Sequence, residues 1–469
     1  MTCADQQSER IRYRVILLSA NGMQVLLVRN GMLLAFPQVE LPRFQRIAPH
    51  VATTFKRDWE QEIICLFSLA SDVDCHAASC PRYYVAQALR CQHAWRGSKW
   101  IQVSALDPSE FQDKNEHDTL IACLARLNRS AASGSGPFEQ LGWFSQLTAW
   151  IGECIAPSGL RLTGAFHQLN ASPTFSLIRF ETNGSAVWFK AVGEPNVHEL
   201  PVSQYLAQFC PAFVPRILAV REEWNAWLAV EVPGTHLDEH SDIGTWTLVT
   251  KTLADLQIAS IGNMQHLIEA GCRDVRANTL VEVVDPFLDV MANLMEQQTK
   301  RSPAPLGRAE LAALGTHVKG ALSVSSNLGM VNTLGHLDFN PGNIIVSRDR
   351  CVLLDWAEAC VGPPFLTFQF LLERLRQLHP LEKSWADRLL SEYSDRWRSF
   401  LKPREITEAN AAAPLLAAFT YAAASGVWRD SNRLRDPNVA AYFRSLARRI
   451  QWEANRWSSR VGSAEVFTV

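Results

Sequence analysis

No apolar run in this chain of 469 residues approaches the ~18 needed to cross a bilayer. The first ten residues, Met1-Thr2-Cys3-Ala4-Asp5-Gln6-Gln7-Ser8-Glu9-Arg10, lack the apolar core of a secretory signal. The 11 cysteines follow no repeating interval, so no disulfide framework is implied. Cys75-His76 with Cys80, Cys91 and His93 lacks the paired ligand intervals of structural zinc sites and reads as ordinary side chains. Charge of one sign is also lacking: 45 Lys and Arg nearly cancel 47 Asp and Glu, leaving no global basic field to recruit nucleic acid or an acidic membrane. A soluble, reduced, cytoplasmic protein without nucleic-acid or membrane partners is expected. No repeat of fixed period organises the chain.

What is present is ample material for burial. Hydrophobic residues make up 47% and charged residues 20%, a globular balance, and the length predicts two or three domains. The most informative stretch is His336-Leu337-Asp338-Phe339-Asn340-Pro341-Gly342-Asn343, followed shortly by Leu354-Asp355-Trp356. Asn343-Ile344-Ile345-Val346 and Cys351-Val352-Leu353-Leu354 read as two short buried strands around the polar turn Ser347-Arg348-Asp349-Arg350. Paired as a hairpin, they set Asn343 beside Asp355. Two oxygen ligands then face one Mg²⁺, while Asp338, on a loop turned by Pro341-Gly342, can orient a hydroxyl. These are the polar parts that phosphoryl transfer from a nucleotide needs.

His336, Asp338 and Asn343 stand where the aminoglycoside phosphotransferase and choline kinase-like superfamily has its H-G-D-x-x-x-x-N motif, and Asp355-Trp356 resembles its downstream metal-binding Asp. Protein kinases share the Asp-to-Asn interval, but Pro-Gly-Asn and Asp-Trp favour the small-molecule branch. Leu337 replaces the usual Gly. The resemblance covers residues of about 160–460 and implies an α+β, bilobal protein-kinase-like fold with a small β-rich lobe at 160–235 and a large helical lobe at 236–460.

Within the small lobe, Leu177-Ile178-Arg179-Phe180 and Val187-Trp188-Phe189-Lys190-Ala191-Val192 read as strands around Thr182-Asn183-Gly184-Ser185. By the resemblance, Lys190 meets the nucleotide phosphates and Glu199 is its partner. Pro201 is tolerated only in a first helical turn, which puts Glu199 at the very start of its helix. The stretch from Thr163 to Pro173 has one Gly and no G-x-G-x-x-G, a pattern that small-molecule kinases of the resembled family also lack, and backbone N–H groups near Asn170 to Ser172 can bind phosphate without it. Leu228-Ala229-Val230-Glu231-Val232-Pro233-Gly234 reads as the last strand and hinge, with adenine held by backbone groups around Glu231 and Val232. Beyond it, 246–257 resembles the family helix that usually ends in Leu-His, here Leu-Gln. Further helices are expected at 280–298, 308–325, 364–378, 383–400, 407–425 and 436–457.

Ahead of the kinase-like part, Asn21-Gly22 signals a hairpin between the strands that carry Tyr13, Val15 and Leu17 and those of Val25 and Leu27. Phe55, Trp59, Ile63 and Phe67, at intervals of four, predict a helix over 54–67. Strands at 83–89 and 100–105 and a helix at 118–127 follow. This order resembles a Nudix domain. Arg57-Asp58-Trp59-Glu60-Gln61-Glu62 is the nearest match to the R-E-x-x-E-E metal cluster, with Gln61 neutral and Arg43 and Pro49 at the upstream Gly and Glu positions. A hard cation favours anionic oxygens, so a degenerate Nudix-like α/β domain at 1–130 is expected. The same residues also read as the solvated face of an amphipathic helix. Ser130-Ala131-Ala132-Ser133-Gly134-Ser135-Gly136-Pro137 is the clearest linker, and 131–159 is assigned to it and a connecting helix over 138–154.

The resemblance thus implies an ATP-dependent phosphotransferase acting on a hydroxyl of a small molecule, with GTP as the alternative nucleotide. Asp338 would accept the hydroxyl proton, Asn343 and Asp355 would hold Mg²⁺, and His336 would brace the catalytic loop as a neutral histidine bonded to backbone or Asp355. A nucleotide-binding pseudokinase, using the N-terminal domain as sensor or output, is the competing reading. In the C-terminal helices Glu373, Glu382, Asp387, Glu392 and Asp395 alternate with arginines and lysine, which is no acidic trap for a polycation. Trp356, Trp385, Trp397 and Trp428 offer rings to stack on an acceptor ring or cation, but tryptophans in this number mostly fill cores. The acceptor, the role of the first domain and the oligomeric state stay open at this level.

Overall fold

Asn21 and Gly22 turn the chain between β1 (Arg10–Leu18) and β2 (Gln24–Asn30), which pair antiparallel, with Gly22 at φ 70°. The Asn21 side chain accepts from the Met23 N–H and the Ser19 hydroxyl, closing the turn locally. The structure is a computed structural model and describes residues 10–43, 45–69, 82–90, 97–130, 136–348 and 350–465. The Cys75, His76, Cys80, Cys91 and His93 group, residues 1–9, linker residues 131–135 and Asp349 lie outside the described residues.

The chain divides into two compact units, 1–200 with 216–231, and 201–215 with 232–469. In the first, β3 (Leu33–Ala35), β4 (Gln38–Pro42), α1 (Ile47–Trp59), β5 (Ile63–Leu69), β6 (Arg82–Ala88), β7 (Ser98–Gln102) and α2 (Lys114–Ser130) follow the first hairpin. Their strands form a mixed sheet in the order β3-β2-β1-β6-β5, with β1 and β6 parallel, β4 on β1 and β7 on β2. Next come α3 (Trp143–Ile155), β8 (Leu162–Ala171), β9 (Ser176–Thr182), β10 (Val187–Ala191) and α4 (Glu199–Phe209). β11 (Ile217–Arg221) and β12 (Ala226–Val230) complete an antiparallel sheet in the order β11-β12-β10-β9-β8. Helix α4 starts at the last two residues of this unit and continues into the second.

Two expected helices are corrected. The stripe over 54–67 is half helix and half strand: α1 stops at Trp59, where Glu60 takes a left-handed φ of 51° and Gln61 N–H closes on the Phe55 carbonyl. Ile63-Ile64-Cys65-Leu66-Phe67 is then a continuous apolar run, buried throughout as β5, the pattern of a strand covered on both faces. The helix expected over 138–154 begins only at Trp143, because Gly142 adopts φ 86° behind a short 3-10 turn at Pro137–Glu139.

The boundary expected at 131–159 does not coincide with the division between compact units. One hydrophobic core joins Ile16, Leu18, Val25, Ile64 and Phe67 of the first sheet to Trp143 and Leu147 of α3 and to Ile178, Phe180 and Phe189 of the second sheet. Buried polar contacts accompany it. Gly142 N–H donates to Gln87 at 2.7 Å, and Arg126 pairs with the buried Glu139.

The second unit is mainly helical, as expected from the spacing. Its strands are β13 (Thr235–His236), β14 (Arg273–Asp274), β15 (Thr333–His336), β16 (Ile344–Val346), β17 (Cys351–Leu353) and β18 (Ala359–Gly362), in two small sheets ordered β13-β16-β17 and β14-β18-β15. Its first helices are α5 (Ile243–Ala259), α6 (Met264–Glu269), α7 (Ala277–Glu296) and α8 (Arg308–Asn327). The C-terminal ones are α9 (Phe365–Leu378), α10 (Lys383–Trp397), α11 (Pro403–Ala424), α12 (Ser431–Leu434) and α13 (Pro437–Glu465). One core gathers Trp246, Phe365, Tyr393 and Trp397 around α5, α9 and α10; another gathers Phe287, Phe419, Trp428 and Phe443 around α7, α11 and α13. No helix among the described residues is long and apolar enough to cross a membrane.

Candidate functional site

Strands β16 and β17 pair antiparallel with Ile344 opposite Leu353, and the ladder extends one step further where Leu354 N–H donates to the Asn343 carbonyl at 2.8 Å. That bond sets Asn343 and Asp355 at adjacent strand ends, as their spacing requires. Asp355 is exposed and sits at φ 62°, ψ 65°, a left-handed conformation that non-glycine residues adopt rarely and that recurs at functional sites. The strand stops there and the carboxylate leaves the ladder.

Asp338 is held from three sides. Its N–H donates to His336 Nδ1 at 3.1 Å. Its carboxylate accepts from Asn340 Nδ2 on Oδ1 at 3.0 Å and from Asn343 Nδ2 on Oδ2 at 3.3 Å, and Asn343 Nδ2 also reaches the Asp338 carbonyl at 3.1 Å. With its amide nitrogen committed to Asp338, Asn343 has its amide oxygen as the remaining polar atom. Asn340 was not singled out from the sequence. An Asn before Pro-Gly is a turn signal, and here its Oδ1 accepts from Gly342 N–H at 3.0 Å while its Nδ2 fixes the acid.

His336 is buried, and its bonds fix its tautomer. Nδ1 accepts from Asp338, so Nε2 carries the proton and donates to the Leu354 carbonyl at 3.1 Å. The histidine thus ties the loop of Asp338 to the residue before Asp355 through backbone groups at both ring nitrogens. Burial pushes its pKa below the ordinary value, against the opposing pull of the Leu354 carbonyl, Asp355 and Asp338. A lowered histidine pKa means that the unfolded chain takes up the proton first, so this contribution to stability is complete above the ordinary value and is lost as pH falls through it. A titration of the His336 imidazole by NMR is expected to give a midpoint below ~6.5; one above that value would contradict a neutral brace.

Leu337, where the resemblance has Gly, is buried in the core of α7 and α11, and its N–H donates to the Glu358 carbonyl at 2.9 Å. It is not among the residues of positive φ, so the loop here does not need a glycine.

The first unit brings two other candidates together. Lys190 on β10 pairs through Nζ with Glu199 Oε1 at 2.5 Å, and both side chains are largely buried. Glu199 opens α4, its N–H bonded to the Asn196 carbonyl, so Pro201 falls in the first turn where its missing N–H costs nothing. Asn170 lies on β8, opposite Leu177 of β9. Ser172 belongs to the β8–β9 turn, where its N–H donates to the Phe175 carbonyl and its hydroxyl accepts from Phe175 N–H, both at 2.9 Å. Glu231 N–H donates to the Ala186 carbonyl at 3.0 Å, and its carboxylate takes two bonds from Arg179, which hold its pKa below the usual range. Val232 is half-buried and begins the next segment of the second unit.

Three of the four tryptophans fill cores, the commoner of the two roles expected of them. Trp356, Trp397 and Trp428 are buried, and Trp428 Nε1 donates to the Ala423 carbonyl; Trp385 alone is partly exposed. Gln257, in the place of the family histidine, is fully buried, donating to the Pro364 carbonyl at 2.9 Å and accepting from Tyr393 at 2.6 Å. Among the described residues no cluster of three or more His, Cys, Asp or Glu could hold a metal ion unaided. The oxygen donors Asn343 and Asp355 nonetheless fit a hard cation of the Mg²⁺ type, which is commonly bound through one or two carboxylates with phosphate and water completing the shell.

Residues 197–403 match a phosphotransferase enzyme family. No curated protein matches the chain. Among solved structures, a macrolide 2′-phosphotransferase from Brachybacterium faecium is 18% identical, with TM-score 0.41, covering 62% of this chain and 98% of its own. A choline kinase from Streptococcus pneumoniae is 15% identical, with TM-score 0.44 and coverages of 67% and 99%. An ethanolamine kinase from Plasmodium vivax is 11% identical, with TM-score 0.46 and coverages of 71% and 94%. The matched interval contains His336, Asp338, Asn343 and Asp355 and excludes Lys190 and everything before it.

Proposed function

We propose that the protein transfers the terminal phosphate of ATP, or of GTP, to a hydroxyl of a small molecule. The observation that carries this reading is the anchoring of Asp338 by Asn340 and Asn343, on a loop that His336 ties to the strand end of Asp355. A carboxylate fixed in this way orients an acceptor hydroxyl and takes its proton as the phosphorus–oxygen bond forms. Lys190, itself oriented by Glu199, steadies the nucleotide phosphates. Asn343 and Asp355 would hold Mg²⁺, which when bound neutralises phosphate charge. Positioning and charge stabilisation are most of what a loose phosphoryl-transfer transition state asks of a protein. His336 acts by positioning the loop, since Asp338 already serves as base. The test is a screen of small hydroxylated metabolites for acceptor-dependent release of ADP or GDP. The reading fails if the protein binds nucleotide yet releases neither above its acceptor-free rate with any member of the panel.

We infer further that the Nudix-like segment has no hydrolase activity. The match to the metal cluster ends with α1 at Trp59, and Gln61, beyond the left-handed Glu60, is buried with its amide donating to the Trp59 carbonyl. Glu60 and Glu62 therefore do not extend the helical face of Arg57. Metal-dependent cleavage of compounds carrying a linked nucleoside diphosphate, by the full chain and abolished by Glu62→Gln, would contradict this.

A further inference from the structure

Strand β5 ends the order of the first sheet and β8 ends the order of the second, so each has a backbone edge that no strand among the described residues pairs with. Such an edge carries unpaired N–H and C=O groups that burial must satisfy. Gln168 of β8 does so for β5. Its Oε1 accepts from Cys65 N–H at 2.8 Å and its Nε2 donates to the Cys65 carbonyl at 2.9 Å, so one side-chain amide pairs with both backbone groups as a neighbouring strand would. Gln168 is buried, and the ladders shift register next to both partners, between Cys65 and Phe67 on β5 and between Gln168 and Asn170 on β8. Bulges of this kind re-aim a strand locally.

The turn that follows is held from a second direction. Phe138 N–H donates to the Pro173 carbonyl at 3.2 Å. A Cβ on Gly136 would lie 1.8 Å from that oxygen, so only glycine permits the approach. Ala171, between Gln168 and the turn, packs against the core that contains Phe55 and Trp59.

We propose that Gln168 is a positioning residue for nucleotide binding, through which residues 10–130 clamp the β8–β9 turn in the conformation that receives phosphate. The proposal rests on the phosphotransferase reading above, together with the resemblance by which backbone groups near Asn170 and Ser172 are the phosphate-binding candidates; the Ser172 N–H itself is committed to the Phe175 carbonyl. A turn that must be ordered by its ligand spends binding energy on ordering, and a turn fixed in advance does not. The N-terminal segment is on this account a permanent part of the nucleotide site.

The test compares the full chain with Gln168→Met, which keeps length and removes both bonds, and with Gly136→Ala, which crowds Pro173 from the other side. Amide hydrogen exchange without nucleotide should speed up at least ~10-fold at Ser172 and Phe175, whose amides bond within the turn, with β10 unchanged, because local opening sets exchange. The KM for ATP should rise at least ~5-fold with kcat held within ~2-fold, the signature of lost uniform binding. A fall in melting temperature with exchange in the turn and KM for ATP both unchanged would reduce Gln168 to a structural contact and overturn the proposal. Failure of the unaltered protein to bind ATP or GTP would overturn the phosphotransferase reading, and the clamp with it; faster exchange in the turn would then report only a packing role.

Discussion

Asp338→Asn is expected to lower phosphoryl transfer at least ~10²-fold while leaving nucleotide affinity largely intact, the usual scale for loss of a positioned acid–base group. The substitution preserves shape. Asn340 and Asn343 each donate to the Asp338 carboxylate, so an amide in its place can still accept one of those bonds, and the loop should keep its course. What disappears is the basic oxygen that takes the hydroxyl proton. Measuring kcat together with the nucleotide dissociation constant checks both halves, and transfer at the unaltered rate would remove Asp338 from the role of base.

Asp355→Ala should fail differently. On the proposed reading its carboxylate is the anionic ligand that joins Asn343 at the paired strand ends, so its loss would leave Mg²⁺ to an amide oxygen, phosphate and water. Nucleotide affinity is expected to fall at least ~10-fold in the presence of Mg²⁺ and to change little in its absence, the range seen when groups that tune a metal site are removed. Titration calorimetry with and without Mg²⁺ reads this directly. The same Mg²⁺ dependence in the variant as in the unaltered chain would exclude Asp355 from the metal.

The parts of this site that could be read in advance are those whose geometry is local. A five-residue interval and a tight hairpin suffice to bring Asp338, Asn343 and Asp355 together, and a strand lysine nine residues before the acid of the next helix brings Lys190 to Glu199. Contacts that depend on distant packing were not legible. Gln168 and Cys65 are 103 residues apart, and nothing in either neighbourhood marks a glutamine whose amide completes another sheet's edge. Gln257 and Tyr393 are 136 apart and meet only once α5 and α10 are packed.

Periodicity misled where one interval ran across two elements. Phe55 and Trp59 on α1 and Ile63 and Phe67 on β5 are spaced by four, but the bulge between Cys65 and Phe67 leaves Ile63 in the core of Phe55 and puts Phe67 in the core of α3, so the common interval is not a common face. Only the left-handed Glu60 breaks the run, and an exposed glutamate carries no sequence signal for that conformation. The tryptophans follow the ordinary expectation that such rings fill cores: Trp356 has its ring centroid 5.1 Å from that of His336 and lies in the core. The core shared by α3 and both sheets of the first unit was not legible, because its members are scattered from Ile16 to Leu228.

The central claim is that Asp338 directs a nucleotide's terminal phosphate onto an acceptor hydroxyl. It is tested most directly by ³¹P NMR of the protein with Mg²⁺, ATP or GTP, and the acceptor found by the metabolite screen. The account predicts a new phosphomonoester resonance growing in step with the nucleoside diphosphate, and its absence with Asp338→Asn. Nucleoside diphosphate accompanied only by inorganic phosphate, or a phosphomonoester formed equally fast by Asp338→Asn, would contradict it.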